Sequence, residues 1–401
     1  MRRDVHSART AWLIAAGLVA FMLVLAGCGG GDDTGGGTTG GGEGSTSGEL
    51  QKLGKGEGEV NLISWAGYVE EEWTKPFEAE SGCKVNNKVA GTSDEMVQLM
   101  ETGQYDGVSA SGNASARLWA AGEVDPVNTA LVPNYKTVFP DLKDQVYNTF
   151  EGVPYGIPHG RGANLLMWNS DKVKPGPKSW NVTLDPKVAA KFKGHISQYD
   201  DPMSIAEGAV YLKYHEPSLG IENPYELNEE QFDAAVELMK EQHSNVGEYW
   251  SDAAKQIQSF TSADSTSGTT WQYQVNQLQG AKDPVPVEAT LPDEGSTGWS
   301  DTWMIASTSK HPNCMYLWMD YIISPAANAK ATEYFGEAPV SAEACELTAD
   351  KDHCTKFHAE DEDYFSKVYY WTTPVADCGD DRGDVCKDYS EWTTAWTEIR
   401  G

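Results

Sequence analysis

Short apolar and polar segments alternate regularly after the N-terminal region of the chain. Residues 60–65 form an apolar run typical of a buried strand, and residues 70–80 follow with the spacing of an amphipathic helix. Residues 83–89 predict a second strand, residues 93–100 a second helix and residues 105–108 a third strand. Strands that alternate with helices predict βαβ units, and therefore an α/β fold with mainly parallel sheets.

The same alternation continues through the rest of the chain, without an internal repeat. Residues 164–169, 192–199 and 302–306 predict strands, and residues 232–240 and 253–260 predict helices. Further predicted elements are a helix opened by Asp201 and Pro202, a strand ending at Thr269 to Trp271, and an amphipathic helix over residues 314–323. Roughly 340 of the 401 residues are available for folding, which predicts two domains of ordinary size.

The N-terminus predicts export from the cytoplasm. Arg2, Arg3 and Arg9 precede an apolar run over residues 12–25, which is shorter than the ~20 residues that a transmembrane helix needs. A basic start, an apolar middle and small residues at the end are typical of a secretory signal peptide. We therefore expect residues 1–27 to be removed from the exported protein.

The end of this segment resembles the lipobox of bacterial lipoproteins. It reads Leu-Ala-Gly-Cys, so Cys28 would become the first residue after cleavage, with its thiol diacylated. Two acyl chains hold a protein on a membrane far more stably than one. Residues 29–48 are almost all Gly, Ser, Thr and acidic residues, which predicts a flexible linker over residues 28–57 and a folded part from near Gly58. The alternative is an ordinary cleaved signal in which Cys28 has no special role.

The remaining six cysteines predict disulfides, because an even number in an exported chain is typical of them. They are Cys83, Cys314, Cys345, Cys354, Cys378 and Cys386. Many connectivities are open to six cysteines, but the spacing favours two local pairs, Cys345–Cys354 and Cys378–Cys386, with Cys83–Cys314 as a long-range bridge. A zinc site next to His353 is the alternative, although the short Cys-x-x-Cys spacing of structural zinc sites is absent from the sequence.

Charge and motifs exclude several classes of function. The formal net charge is −30, which argues against nucleic-acid binding because that function favours basic patches. An acidic surface suits a cationic ligand, but it also simply keeps an exported protein soluble. The sequence has no Gly-x-Ser-x-Gly elbow, no His-Glu-x-x-His helix and no histidine spacing that suggests a metal. We expect a binding protein without a cofactor; a lipid-anchored enzyme and an adhesive lipoprotein are the alternative classes.

An ordered set of motifs resembles the periplasmic spermidine/putrescine-binding proteins, which are solute-binding proteins of ABC importers. The motifs are Ser64-Trp65-Ala66-Gly67-Tyr68-Val69, Tyr105-Asp106-Gly107-Val108, Ile157-Pro158, Gly298-Trp299-Ser300-Asp301 and Gly336-Glu337-Ala338-Pro339. The resemblance implies a two-lobed periplasmic-binding-protein fold of type II, whose lobes close on the ligand by a hinge motion. It also implies a monomer that works with a membrane permease and its ATPase subunits, at the cell surface or in the periplasm.

The resemblance further implies how the chain divides between the lobes. The first lobe would comprise residues 58–164 and 302–339, and the second residues 165–301 and 340–401. The chain would cross between the lobes near Leu165 and Thr302.

The resemblance implies a cleft for a small cationic amine such as putrescine or spermidine. Aromatic faces attract cations, and carboxylates hold ammonium groups by charge-assisted hydrogen bonds. The candidate residues that match the family pattern are Trp65, Tyr68, Ser111, Asp201, Trp271, Trp299 and Asp301. The alternative for each is a structural role, and for Asp201, which precedes Pro202, it is the capping of a helix.

Four positions depart from the family pattern. Ser204 replaces a second acid, Asn113 and Glu337 each replace a tyrosine, and Arg161 replaces an aromatic residue. Glu337 and Arg161 are added to the candidate ligand-binding residues. An arginine facing the cleft would pair with a ligand carboxylate, which favours a zwitterion such as an amino acid or ω-amino acid. The alternative is that Arg161 pairs with Glu337 or with a nearby aspartate on the wall.

Overall fold

The structure is a computed structural model that describes residues 49–401. The predicted signal peptide, Cys28 and most of the predicted linker lie outside the described residues. Within residues 49–401, no helix is both long enough and apolar enough to cross a membrane.

The described part of the chain alternates strands and helices, as the hydrophobic pattern predicts. Its strands are β1 (Glu59–Ser64), β2 (Lys84–Val89), β3 (Gly107–Ala110), β4 (Val124–Asp125), β5 (Thr149–Phe150), β6 (Val153–Pro154), β7 (Gly156–Pro158), β8 (Gly160–Ala163), β9 (Leu165–Asn169), β10 (Ile196–Tyr199), β11 (Val246–Trp250), β12 (Ser267–Thr270), β13 (Val287–Thr290), β14 (Ser296–Trp299), β15 (Thr302–Ala306), β16 (Ala338–Pro339) and β17 (Val368–Tyr370).

The helices follow the same order along the chain. They are α1 (Glu71–Ser81), α2 (Ser93–Met100), α3 (Gly112–Ala121), α4 (Asn181–Leu184), α5 (Pro186–Ala189), α6 (Ser204–His215), α7 (Glu229–His243), α8 (Ala253–Thr261), α9 (Gln272–Gly280), α10 (Pro312–Ile322), α11 (Pro325–Phe335), α12 (Ala342–Leu347), α13 (His353–Lys356), α14 (Glu362–Phe365) and α15 (Tyr389–Arg400). Short 3-10 helices lie at Thr129–Leu131, Pro133–Thr137, Pro140–Leu142, Ala190–Phe192 and Pro217–Leu219.

Local sequence signals fix many of these boundaries. The side chain of Thr92 accepts a hydrogen bond from the backbone N–H of Glu95 and so caps the start of α2. Asn228 and Gln231 form a reciprocal capping box at the start of α7. Two predictions are too long at the N-terminal side: the strand predicted from residue 192 begins at Ile196 after a 3-10 turn, and α6 begins at Ser204 rather than at Asp201.

Two mixed sheets form the centres of two lobes. The first has the order β2-β1-β3-β15-β4, with β7 also paired to β15, and helices α1, α2, α3 and α10 pack against it. The second has the order β11-β10-β12-β9-β13 and carries α4, α8 and α9. In each sheet three neighbouring strands are parallel, and their buried residues form the core.

A third sheet joins the two lobes. It has the order β16-β8-β14-β17, in which β8 and β14 are antiparallel. The chain leaves the first sheet through β7, passes through β8 and enters the second sheet as β9. It returns from β13 through β14 and enters the first sheet as β15. The predicted crossing points, Leu165 and Thr302, are the first residues of β9 and β15.

The crossing strands explain why neither sheet is wholly parallel. The parallel strands of each lobe end at the edge that faces the other lobe. A strand that arrives from the other lobe enters at this edge and must run away from it, so it is antiparallel to the rest. Accordingly β15 is antiparallel to β3, and β9 is antiparallel to β12.

The described part of the chain contains three disulfides, and all three predicted pairs are confirmed. Cys83–Cys314 connects residues 231 positions apart, whereas Cys345–Cys354 and Cys378–Cys386 close local loops. The long-range bridge joins the start of β2 to α10 and therefore lies within the first lobe. Within residues 49–401, no cluster of His, Cys, Asp and Glu side chains could hold a metal ion.

The residues just before β1 also pack on the first lobe. Leu50 and Leu53 are partly buried against the core, and the carbonyl oxygen of Leu50 accepts a hydrogen bond from Asn128. The carboxylate of Glu57 accepts hydrogen bonds from the backbone N–H groups of Asn313 and Cys314. Contacts with the folded body therefore begin within the segment that the composition assigns to the linker.

Candidate functional site

The candidate site lies where the parallel strands of the two lobes end and face each other. In the first lobe, Trp65 follows β1 and Ser111 follows β3; in the second, Trp271 follows β12. Ligands of open α/β sheets bind outside the carboxyl ends of their strands. Trp299 is the last residue of β14, and Asp301 lies between β14 and β15, in the segment that returns to the first lobe.

These residues line a small cavity of ≈ 20 Å³, which we call the tryptophan cavity. Its aromatic lining consists of Trp65, Trp271, Trp299, Phe335 and Trp371, and its polar lining of Ser111, Asn164 and Asp301. Every one of these side chains is buried. The structure thus brings together five of the candidate residues predicted from the sequence: Trp65, Ser111, Trp271, Trp299 and Asp301.

The aromatic walls support one another across the lobes. The rings of Trp65 and Trp271 meet edge to face, with their centroids 5.5 Å apart. Tyr199 stacks on Trp371 at 5.8 Å and meets Trp271 edge to face at 5.4 Å. Such contacts add stability beyond the burial of area and hold the ring faces in fixed positions. The cavity therefore offers fixed π-faces on several sides.

Asp301 supplies the only carboxylate among the residues that line this cavity. The Ser111 hydroxyl donates to its Oδ1 atom at 2.5 Å, and the Tyr68 hydroxyl donates to its Oδ2 atom at 2.8 Å. Burial raises the pKa of Asp301 to about 7, although these two hydrogen bonds oppose the increase. A cation in the cavity would favour the ionised form and restore the negative charge.

Tyr68 also joins Asp301 to a second buried acid. Its hydroxyl oxygen lies 3.1 Å from Oε2 of Glu337, and the indole N–H of Trp299 donates to the same carboxyl oxygen at 3.1 Å. A phenol has a single proton and can donate to only one carboxyl group at a time. Burial and the proximity of Asp301 raise the pKa of Glu337 to about 8, so this group is mostly neutral at pH 7.

The nearby histidine does not compensate Glu337 with a positive charge. Burial lowers the pKa of His159 to about 3, so its imidazole is neutral. Its Nδ1 atom accepts a hydrogen bond from the indole N–H of Trp303 at 3.1 Å, and its Nε2 atom lies 3.5 Å from Oε1 of Glu337. Neither Tyr68 nor Glu337 lines the tryptophan cavity; both lie directly behind it and act on Asp301 and Trp299.

Asp201 lies outside the cavity lining. One of its carboxyl oxygens accepts a hydrogen bond from the backbone N–H of Met203 at 2.9 Å, whereas the other has no protein partner. Burial raises its pKa to about 7. Ser204, which replaces the second acid of the family pattern, is turned away: its hydroxyl donates to the carbonyl oxygen of Tyr199 at 2.8 Å.

Arg161 is engaged on the far side of β8. Its guanidinium pairs with Asp141 at 2.5 Å, donates to the carbonyl oxygen of Ala359 at 2.8 Å and lies 4.0 Å from the centre of the Phe365 ring. Arg161 therefore pairs with an aspartate of the wall, Asp141, which is the alternative predicted from the sequence. No residue of the tryptophan cavity is among these contacts.

Three residues of the cavity lining are not among those predicted from the sequence: Asn164, Phe335 and Trp371. Asn164 lies between β8 and β9, Phe335 ends α11, and Trp371 follows β17. The available signal for Trp371 is the same as for Trp65, an aromatic residue directly after a short apolar strand. Asn113, at a family tyrosine position, is fully buried and accepts a hydrogen bond from the Ser93 hydroxyl at 2.9 Å.

The two lobes are in close contact around the cavity. The hydroxyl of Tyr199, at the end of β10, donates to the carbonyl oxygen of Gly91, after β2, at 2.8 Å. The Tyr389 hydroxyl donates to Asp94 at 2.7 Å, and the Arg117 guanidinium lies over the Tyr389 ring. The structure therefore represents the closed arrangement of the lobes.

Two lobes, the strands that cross between them and a cavity between the strand ends define the class of periplasmic binding proteins of type II, as the resemblance implies. The profile of the family described as bacterial extracellular solute-binding protein matches residues 72–355. The chain belongs to this family. The resemblance to spermidine/putrescine-binding proteins is confirmed by relatives in sequence and in structure.

Several curated relatives have low but extensive similarity. A putrescine/cadaverine-binding protein of Pseudomonas aeruginosa is 25% identical over 297 residues, covering 71% of this chain and 79% of the relative. A putrescine-binding periplasmic protein of Escherichia coli is 23% identical over 289 residues, covering 69% of this chain and 76% of the relative.

The fold is shared with solved structures. A putative spermidine/putrescine ABC transporter protein of Listeria monocytogenes superimposes with a TM-score of 0.71 at 18% identity, covering 86% of this chain and 99% of that chain. A spermidine/putrescine substrate-binding protein of Streptococcus pneumoniae has a TM-score of 0.65 at 16% identity, covering 85% and 97% of the two chains.

Proposed function

We propose that this protein is the extracytoplasmic solute-binding component of an ABC importer, and that it captures a small cationic amine of the polyamine class and delivers it to a membrane permease. The observation that carries the proposal is a buried cavity with four tryptophan walls and one carboxylate, Asp301. Aromatic faces attract a cation and pack against its methylene groups, and the carboxylate fixes the ammonium end. The relatives in P. aeruginosa and E. coli carry names of putrescine-binding proteins, which supports the same class of ligand.

In this proposal Trp65, Trp271 and Trp299 contact the ligand directly, and Ser111 and Tyr68 hold the Asp301 carboxylate in place. The protein carries its ligand without reacting with it, and it works as a monomer with the permease and its ATPase subunits. Arg161 gives no support to a zwitterionic ligand, because its guanidinium is already paired with Asp141.

We also propose that the protein is anchored to the outer face of a membrane through Cys28. The support is the sequence Leu25-Ala26-Gly27-Cys28 after a short apolar run, followed by the glycine-rich linker. The anchor is tested by Cys28→Ser: the variant should move from the membrane fraction to the soluble extracytoplasmic fraction and lose labelling by radioactive palmitate. Unchanged membrane association and labelling would contradict the anchor without affecting the binding proposal.

Calorimetric titration of the purified full chain with putrescine, cadaverine and spermidine tests the binding function. At least one of these amines should bind, and Asp301→Asn should weaken its binding by at least about thirtyfold, because removing one partner of a buried charge pair costs about 2–5 kcal/mol. Asp171→Asn is the matched control, since Asp171 is exposed and distant from the cavity lining. Absence of heat with all three amines, or unchanged binding by Asp301→Asn, would contradict the proposal.

A further inference from the structure

The cavity has a carboxylate at only one place, although a diamine carries two charged ends. Asp301 is the single acid among its lining residues, because Asp201 lies outside this lining and the Ser204 hydroxyl donates to Tyr199. An ammonium group removed from water without a counter-charge keeps a large desolvation cost. The far end of the ligand must therefore be received by something other than an acid.

Asn164 is the remaining polar residue of the cavity lining. Its side chain is only 1% exposed, and its Oδ1 atom is buried without a hydrogen-bond partner. A buried carbonyl oxygen without a donor is costly, and native structures rarely leave one unless a ligand or water completes it. The unpaired oxygen of Asn164 is therefore available to accept a hydrogen bond from a ligand.

The orientation of this amide is fixed by the opposite crossing segment. The Asn164 side-chain Nδ2 donates to Oγ1 of Thr297 at 2.6 Å, and its backbone N–H donates to the Thr297 carbonyl oxygen at 2.9 Å. Thr297 is a fully buried residue of β14. In this orientation the amide nitrogen is paired with Thr297, and the free atom of the side chain is the oxygen, a neutral acceptor.

We infer that Asn164 receives the far end of the ligand and makes the site select for a hydrogen-bond donor, rather than for a second positive charge, at that end. This inference rests on the proposed function. The ligand class that it names is a short amine with one ammonium group at Asp301 and a donor at Asn164, which includes amino alcohols as well as diamines. A hydroxyl group loses less hydration than an ammonium group does, so an amino alcohol should bind with an affinity within about tenfold of that of the diamine of equal length.

Three ligands of equal chain length separate the possibilities: putrescine, 4-amino-1-butanol and butylamine, titrated calorimetrically into the full chain. We expect 4-amino-1-butanol to bind no more than tenfold more weakly than putrescine, and butylamine to bind about tenfold more weakly than 4-amino-1-butanol, because it leaves the Asn164 oxygen unpaired. A preference of more than tenfold for putrescine over 4-amino-1-butanol would overturn the inference.

Substitutions at the two ends assign the effect to Asn164. Asn164→Ala should abolish the difference between 4-amino-1-butanol and butylamine, whereas Asn164→Asp should raise the preference for putrescine by about tenfold. Persistence of the difference in Asn164→Ala would overturn the inference. So would a loss of putrescine binding in Asp201→Asn as large as that in Asp301→Asn, since it would place the far end at Asp201. Thermal melting of the ligand-free variants establishes that they are folded.

The outcomes also distinguish this inference from the proposed function. If no amine binds to the wild-type chain, the proposed function itself fails. If putrescine binds and requires Asp301 but is indifferent to Asn164, the proposed function holds and the inference about Asn164 fails.

Discussion

Gly91 and Ser251 approach each other so closely that a Cβ atom on Gly91 would lie 1.8 Å from the carbonyl oxygen of Ser251. Gly91 follows β2 in the first lobe, and Ser251 follows β11 in the second. No side chain fits at this point while the lobes are closed. Gly91 is therefore required for closure, although it contributes no atom to the ligand cavity.

Gly91→Ala is expected to impair ligand binding without destabilising the ligand-free protein. The added methyl group would hold the lobes apart and weaken the hydrogen bond from Tyr199 to the Gly91 carbonyl, so we expect the dissociation rate to rise at least about tenfold. Stopped-flow fluorescence of the tryptophans measures this rate. Gly280→Ala is the matched control, because a Cβ atom at Gly280 meets nothing within 4 Å. Equal dissociation rates in the two variants would contradict a role of Gly91 in closure.

Amine affinity should rise with pH between about 6 and 8. Burial raises the pKa of Asp301 to about 7, and burial together with Asp301 raises that of Glu337 to about 8. A bound cation favours the ionised carboxylate, so binding in this range releases protons, and affinity can increase by up to about tenfold per pH unit for each proton released. Calorimetry in buffers of different ionisation enthalpy counts the protons. A flat affinity profile without proton release would show that Asp301 is already ionised before binding.

The ligand-free protein should lose stability as the pH rises from about 6.5 to 8.5. Four buried acids have raised pKa values, namely Asp201, Glu207 and Asp301 at about 7 and Glu337 at about 8. Below its folded-state pKa, each acid still binds a proton that the unfolded state has released, and each such proton lowers the free energy of unfolding by about 1.4 kcal/mol per pH unit as the pH increases. The decrease therefore flattens as the pH passes about 7 for three of the acids and about 8 for Glu337. The lowered pKa of His159 affects stability only below about pH 6.5, where it makes the free energy of unfolding increase as the pH rises.

Scanning calorimetry across this range checks the expected decrease in melting temperature. Glu207→Gln provides an internal test, because Glu207 lies outside the cavity lining. The melting temperature of this variant should decrease less steeply with pH, because one of the four buried acids is removed. A melting temperature that increases from pH 6.5 to 8.5 would contradict the protonation of these acids in the folded state.

Trp371 is expected to be a wall of the ligand site despite its position near the C-terminus. Trp371→Leu should weaken amine binding by about tenfold and Trp371→Phe by less, because a leucine removes the π-face and a phenylalanine retains part of it. Trp119→Leu is a suitable control, since Trp119 stacks on Phe150 outside the cavity. Fluorescence or calorimetric titration measures the dissociation constants, and equal affinities for Trp371→Leu and Trp119→Leu would exclude Trp371 from the site.

Local periodicity predicts most of the strands and helices correctly, because the hydrophobic spacing within each element is typical of that element. Residues 302–306 and 93–100 form the predicted strand and helix with the predicted ends. The placement of Trp65 and Trp271 at the candidate cavity can also be predicted from the sequence, since both directly follow strands whose carboxyl ends must face the cleft.

The remaining features depend on contacts between distant segments. Side chains alternate between the faces of a strand, so Gly162 faces Trp299 while its neighbour Arg161 lies on the other face. The pairing of β8 with β14 determines which face of β8 lines the cleft, and hydrophobic periodicity does not predict that pairing. Asn164 likewise acquires its orientation only through Thr297, which is 133 positions away.

The packing of residues 50–57 on the first lobe has a mechanical consequence. These residues contact Asn128, Asn313 and Cys314, so a pull along the N-terminal segment is transmitted to the first lobe alone. None of these contacts involves the second lobe, so the second lobe can move relative to the first without breaking them. If the chain is held at a surface through its N-terminal segment, as proposed, the first lobe is the stationary part and the second lobe makes the opening and closing motion.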